Sequence, residues 1–176
     1  MAADFVYGLT VVTEDHWGAG TDEEIFIRLI GGNDKSFGDW YLSNPGENNF
    51  EKGDSDNFGL PSEFLGEIKK VFIYVSANKG DPGGTNSAWH LNYVRVTAQY
   101  GGQNHAWTFP VKKWLGIPGR DQNGPQNEIV YLGLEIAQDG TFKAFAKTDD
   151  LPLTGFDKKR VVGGRQFRNR SCLTSQ

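Results

Sequence analysis

The chain reads as all-β on three observations. Turn formers are dense, with 23 glycines and 7 prolines among 176 residues, and they cut the sequence into short runs. Within those runs apolar and β-branched residues alternate or cluster as they do in strands. No segment carries an amphipathic helical stripe longer than about three turns. A hydrophobic content of 38% with 13% aromatics suits one globular domain with an extension, long enough to bury a core.

The first candidate strand is residues 6–12, a loose alternation, and the second is the apolar run 25–30. Between them stands Trp17-Gly18-Ala19-Gly20-Thr21-Asp22-Glu23-Glu24. Its glycines let the backbone turn carbonyls inward beside carboxylates, and calcium favours that oxygen donor set. Trp40-Tyr41-Leu42 leads into a second oxygen-rich loop, residues 42–56, which contains Asn44, Gly46, Glu47, Asn48, Asn49, Glu51, Asp54 and Asp56. Asn, Asp and Gly also serve as plain turn residues. The chain has no EF-hand loop, so spacing alone leaves both the turn and the cation site open.

Further strands are expected at 55–60, 68–75, 89–100 and 105–111, each bounded by Gly, Pro, Asn or Asp. The segments 68–75 and 89–100 are long and well alternated. They put Val71, Ile73 and Val75 on one face, and set Leu91, Tyr93, Arg95 and Thr97 against Asn92, Val94 and Val96. Both are expected at the centre of the fold. Trp40, Trp89 and Trp107 lie inside strand patterns and read as structural. After residue 116 a Gly/Pro-rich connector leads to a hairpin, 128–136 and 141–147, turning at Gln138-Asp139-Gly140. A lone hairpin is marginal in water, so it should pack on the domain.

Charge is unevenly distributed. Lys158, Lys159, Arg160, Arg165, Arg168 and Arg170 form a tail of six bases without an acid, while 22 acids against 12 bases leave the preceding body at −10 and the whole at −4. Such a tail either meets phosphate-bearing surfaces or neutralises its own acidic body. The single Cys172 cannot form an internal disulfide. No apolar run approaches 18 residues, and Met1-Ala2-Ala3-Asp4 shows no secretion signal. A cytoplasmic protein that does not span the membrane is therefore the expectation, with an excised domain of a larger or secreted protein as the alternative; association at the membrane periphery is implied only by the resemblance given below.

Catalytic machinery is not apparent. His16, His90 and His105 are far apart in sequence, and there is no nucleophile elbow, P-loop or dinucleotide fingerprint. Glu23 and Glu24 are adjacent on an extended chain, so they point to opposite faces and cannot share a proton. The protein is expected not to be an enzyme and not to bind nucleic acid.

Five pieces in order carry a resemblance: Gly20-Thr21-Asp22; Phe50-Glu51-Lys52-Gly53 with Asp56 and Phe58; Leu65-Gly66-Glu67-Ile68; Trp89-His90-Leu91 with Val94; and Phe109-Pro110 with Trp114. Together they resemble the PLAT (LH2) domain of lipoxygenases, polycystin-type proteins and clostridial alpha-toxin. The resemblance implies an antiparallel β-sandwich of two roughly four-stranded sheets over residues 1–116. The connector and an extra hairpin (117–157) and the basic tail (158–176) would then be additions. It also implies a calcium ion held by Asp22, Glu23, Asn48, Asn49 and Glu51, with Gly18, Gly20, Asn44 and Gly46 as further oxygens. Trp17 and Trp114 fall where related domains place membrane-entering tryptophans. Asn49 stands where the family commonly has an acid, and fewer carboxylates weaken calcium binding. Calcium-dependent association with an anionic membrane leads the functional readings. The alternatives are a protein-interaction module whose calcium site is structural or absent, and a carbohydrate-binding sandwich, for which no row of exposed coplanar rings is evident.

Overall fold

A computed structural model of the chain describes residues 4–21, 24–43, 46, 48–75, 88–116 and 128–145. Ten strands occur in it: β1 (Phe5–Thr13), β2 (Ile25–Ile30), β3 (Ser36–Tyr41), β4 (Ser55–Ser62), β5 (Lys70–Val75), β6 (Trp89–Tyr100), β7 (Gln103–Leu115), β8 (Val130–Tyr131), β9 (Gly133–Ala137) and β10 (Phe142–Phe145). They form two five-stranded sheets, ordered β4-β1-β6-β7-β8 and β10-β9-β5-β2-β3. Every pairing is antiparallel except β7 with β8. The all-β sandwich expected from sequence is thus present. The segment after residue 128 supplies the fifth strand of the first sheet and two strands of the second, with β9 hydrogen-bonded beside β5.

β5 and β6 each sit in the middle of their sheet. From the second sheet Ile25, Ile27, Leu29, Val71, Ile73 and Leu134 face inward, all 0% exposed. They meet Tyr7, Leu9, Val11, Val94, Val96 and Phe109 of the first, where close packing of branched chains stabilises by roughly 1.5–3 kcal/mol per residue. Alternation in β6 is broken by a bulge between Leu91 and Tyr93. It puts Leu91 on the same buried side as Val94 and Val96, which corrects the grouping of Leu91 with Tyr93, Arg95 and Thr97. The long β6–β7 hairpin closes at Gly101 and Gly102, whose φ values of 60° and 73° are those a two-residue primed turn demands. At the other hairpin, Asp139 accepts hydrogen bonds from the Thr141 amide at 2.9 Å and hydroxyl at 2.6 Å. Those bonds lower the Asp139 pKa.

The second sheet also buries its outer face. There Arg28 Nε donates to Asp39 Oδ1 at 2.6 Å and Nη2 to Oδ2 at 3.2 Å, and the Tyr74 hydroxyl donates to the same carboxylate. Asp39 is 2% exposed, so removing one partner leaves the other charge with little solvation. Asp39→Ala should lower unfolding free energy by about 3 kcal/mol, and Arg28→Met with Asp39→Leu together should cost less than Asp39→Ala alone; urea titration measures both.

Candidate functional site

The two oxygen-rich loops meet at one end of the sandwich. Gly18, at φ 81°, turns the first loop, and the Ala19 amide closes that turn on the His16 carbonyl at 3.1 Å. The loop is then fastened on both sides: Thr21 N–H donates to Phe50 O at 3.0 Å, and His90 N–H to Ala19 O at 2.9 Å. Gly20 is required there, since a Cβ would lie 3.0 Å from Phe50 O and 3.1 Å from Lys52 N. The second loop returns the contact through Gly53 N–H to Glu14 O at 3.1 Å.

Within the second loop the side chains hold one another. Asn48 Nδ2 donates to Glu51 Oε1 at 2.9 Å, and Asn49 Nδ2 to Asp56 Oδ1 at 2.9 Å. The other Asp56 oxygen accepts from Phe50 N–H at 2.9 Å, and Asp54 accepts from Glu51 N–H at 3.1 Å. Phe50, at φ 64°, drives its ring inward beside Trp89 and Phe58. The loop is therefore anchored in the core while its amide and carboxylate groups stay at the rim. Gly46 is described and exposed at φ 78°. Asp22, Glu23 and Asn44 lie outside the described residues.

Among the described residues no three His, Cys, Asp or Glu side chains come together as a metal centre. What the fold does join are the Gly18–Gly20 backbone and the Asn48, Asn49 and Glu51 side chains, on loops hydrogen-bonded to each other. These are oxygen donors of the hard type that suits calcium. Asp54 and Asp56 were not singled out from sequence as site residues, yet they brace this loop. Their signal was the density of acids in residues 51–56.

The two tryptophans part company. Trp17, at the tip of the first loop, is 78% exposed, whereas Trp114 is 7% exposed. The Trp114 ring stacks on His90 with centroids 4.5 Å apart and planes at 7°, and its indole N–H donates to Glu128. A bulge at Lys112, φ 50°, precedes it in β7. His16 and His90, 74 positions apart, are joined Nε2 to Nδ1 at 2.5 Å, a pairing that their sequence separation concealed. Burial, then the neighbouring His16, lowers the His90 pKa against the opposing pull of Glu14 and Glu128.

Residues 7–123 match the family profile described as the PLAT/LH2 domain, a span that runs from within β1 through β7 and includes both loops, Trp17 and Trp114. Human lipoxygenase homology domain-containing protein 1 is 38% identical over 129 residues, 73% of this chain and 6% of that protein. The mouse protein of that name is 33% identical over the same length. The human polycystin family receptor for egg jelly is 27% identical over 113 residues, 63% of this chain and 5% of that protein. The chain thus spans about one-twentieth of the relatives it matches. Among solved structures, coral 8R-lipoxygenase superposes with a TM-score of 0.55 at 19% identity, covering 92% of this chain and 20% of that one. A calcium-dependent 11R-lipoxygenase gives 0.53 at 23%, covering 76% and 17%. At these identities the likeness is one of fold.

Two predictions follow from the site's geometry. Trp17→Ala should change unfolding free energy by less than about 0.5 kcal/mol, while Trp114→Ala should cost about 3 kcal/mol. Equilibrium unfolding of the two variants distinguishes a tip from a packed ring. For His90, a folded pKa below the unfolded value of about 6.5 means that the unfolded chain binds the proton more readily. Its contribution is therefore complete above that value and is lost as pH falls through the folded pKa. Urea midpoints measured across this window should fall on acidification, and His90→Gln should flatten the slope.

Proposed function

The chain belongs to the PLAT/LH2 domain family, and on that footing we propose that it is a non-catalytic module that associates peripherally with anionic membranes when calcium occupies the pole between its two oxygen-rich loops. The observation that carries this reading is Trp17, 78% exposed at the tip of a loop whose base is tied to the second loop. An indole held out from an anchored turn suits the headgroup region, where its ring enters the apolar boundary and its N–H stays hydrated. Trp114, packed under His90, acts as a floor beneath the loop, and Trp17 makes the lipid contact.

The proposed ligands are the side chains of Asp22, Glu23, Asn44, Asn48, Asn49 and Glu51, with main-chain oxygens of Gly18, Gly20 and Gly46. Bound there, calcium would supply positive charge that offsets the carboxylates facing a negatively charged surface. The chain's own part is to keep the donors in register. Asp56 holds Asn49 and Phe50, Asp54 holds the Glu51 amide, and Gly20 lets the loops approach closely. Support in kind comes from the coral 8R-lipoxygenase, described as calcium-activated through a C2-like domain, and from the calcium-dependent 11R-lipoxygenase. Among the described residues no helix is long and apolar enough to cross a membrane.

Flotation of the full chain with phosphatidylcholine vesicles containing about 30% phosphatidylserine, in about 1 mM calcium or in EGTA, tests the proposal. Binding should require calcium, fall about tenfold in Trp17→Ala, and vanish with the calorimetric calcium signal in Glu51→Ala. Vesicle binding unchanged by EGTA, or no calcium heat from the wild-type chain, would overturn it in favour of a protein-interaction module.

A further inference from the structure

His16 and His90 meet beside the oxygen-rich loops with both rings oriented by their surroundings. His16 Nε2 faces His90 Nδ1 at 2.5 Å, with ring centroids 4.8 Å apart. The second nitrogen of His16 lies 3.2 Å from Trp17 O. A carbonyl oxygen only accepts, so His16 Nδ1 carries the proton and the lone pair sits on Nε2, aimed at His90. With Nδ1 of His90 turned to His16, its Nε2 is left for the Lys112 backbone, which favours the charged ring as a carbonyl acceptor does. Two nitrogens from segments 74 positions apart thus converge on one point, each ring steadied through its other nitrogen. Metal-binding histidines are held in this way, with the far N–H on a carbonyl and the near lone pair directed at the ion.

The surroundings suit a cation. The His90 ring is stacked on Trp114 at 4.5 Å, Trp114 is tied to Glu128, and His90 feels the charges of Glu14 and Glu128. His16 is exposed, so the pair opens to solvent. We propose that His16 Nε2 and His90 Nδ1 form a two-histidine site for a divalent transition-metal ion of the zinc or copper class, its remaining positions taken by water. Nitrogens about 2.0–2.1 Å from a tetrahedral ion stand about 3.3 Å from each other. The pair must therefore open from 2.5 Å by about 0.8 Å, which rotation of the exposed His16 side chain supplies. Imidazole selects this class of ion, whereas calcium takes oxygen, so the site is separate from the carboxylate and amide donors of the loops. Two protein ligands are fewer than a closed structural zinc centre uses, and the ion keeps open positions. Bound there, it would tie the root of the first loop to β6.

Calorimetric titration of the full chain with zinc chloride, in about 1 mM calcium to compete for oxygen donors, tests the site. One ion should bind, and His16→Gln and His90→Gln should each weaken it by about tenfold or more, while Cys172→Ser leaves it unchanged. Nitrogen NMR of the histidine rings gives a readout that a merely structural role does not move: zinc should shift His16 Nε2 and His90 Nδ1 and leave His105 in place. No zinc heat, equal affinity in the wild-type chain and both histidine variants, loss of binding in Cys172→Ser, or ring shifts confined to His105 would each overturn the proposal, leaving the pair to share a proton alone.

Discussion

The constraint on which this structure depends is that β5 is buried on both faces. Val71, Ile73 and Val75 close the aliphatic core between the sheets, while Phe72 and Tyr74 lie behind them, all at 0–1% exposure. Because β5 pairs with β2 on one side and β9 on the other, its neighbours inherit the same two-sided demand. The inner positions are filled by branched aliphatics that interdigitate. The central outer positions take aromatics, which combine large apolar area with defined ring geometry, around the Arg28–Asp39 ion pair that the Tyr74 hydroxyl completes. A charge pair in that setting stabilises little by itself but is costly to break, so it fixes how β2, β3 and β5 line up.

The pole that carries the two oxygen-rich loops draws on that rigidity. Both loops spring from strands of the sandwich, and their own fastening is backbone to backbone, Thr21 to Phe50 and Gly53 to Glu14. Phe50 then plugs the second loop into the aromatic interior. Polar groups at the rim are thereby positioned by hydrophobic burial beneath them, and Trp17 stands 78% exposed next to the turn at Gly18.

Much of the fold was legible in the sequence because period-2 patterns and turn residues are local signals. The segments 6–12, 25–30, 55–60 and 89–100 match β1, β2, β4 and β6 closely, and the turn at Gln138-Asp139-Gly140 is where the pattern put it. Where backbone irregularities enter, alternation misleads: the bulge at Leu91 turns one residue inward, and β7 runs on through Lys112 to a buried Trp114. The site was legible as two oxygen-rich loops, but the bracing roles of Asp54 and Asp56 needed coordinates, since a turn acid and a bracing acid look alike in sequence.

By itself the sequence determined the all-β class, the strand and turn pattern, the family likeness and the residue types available at the two loops, because each is written in composition and local spacing. Only the tertiary structure decided that β9 lies beside β5, that His16 meets His90 across 74 positions, that Trp17 is bare while Trp114 is packed, and that Phe72 and Tyr74 form a buried outer band. Those outcomes depend on which chain segments become neighbours when apolar area is removed from water, and no local pattern encodes that choice.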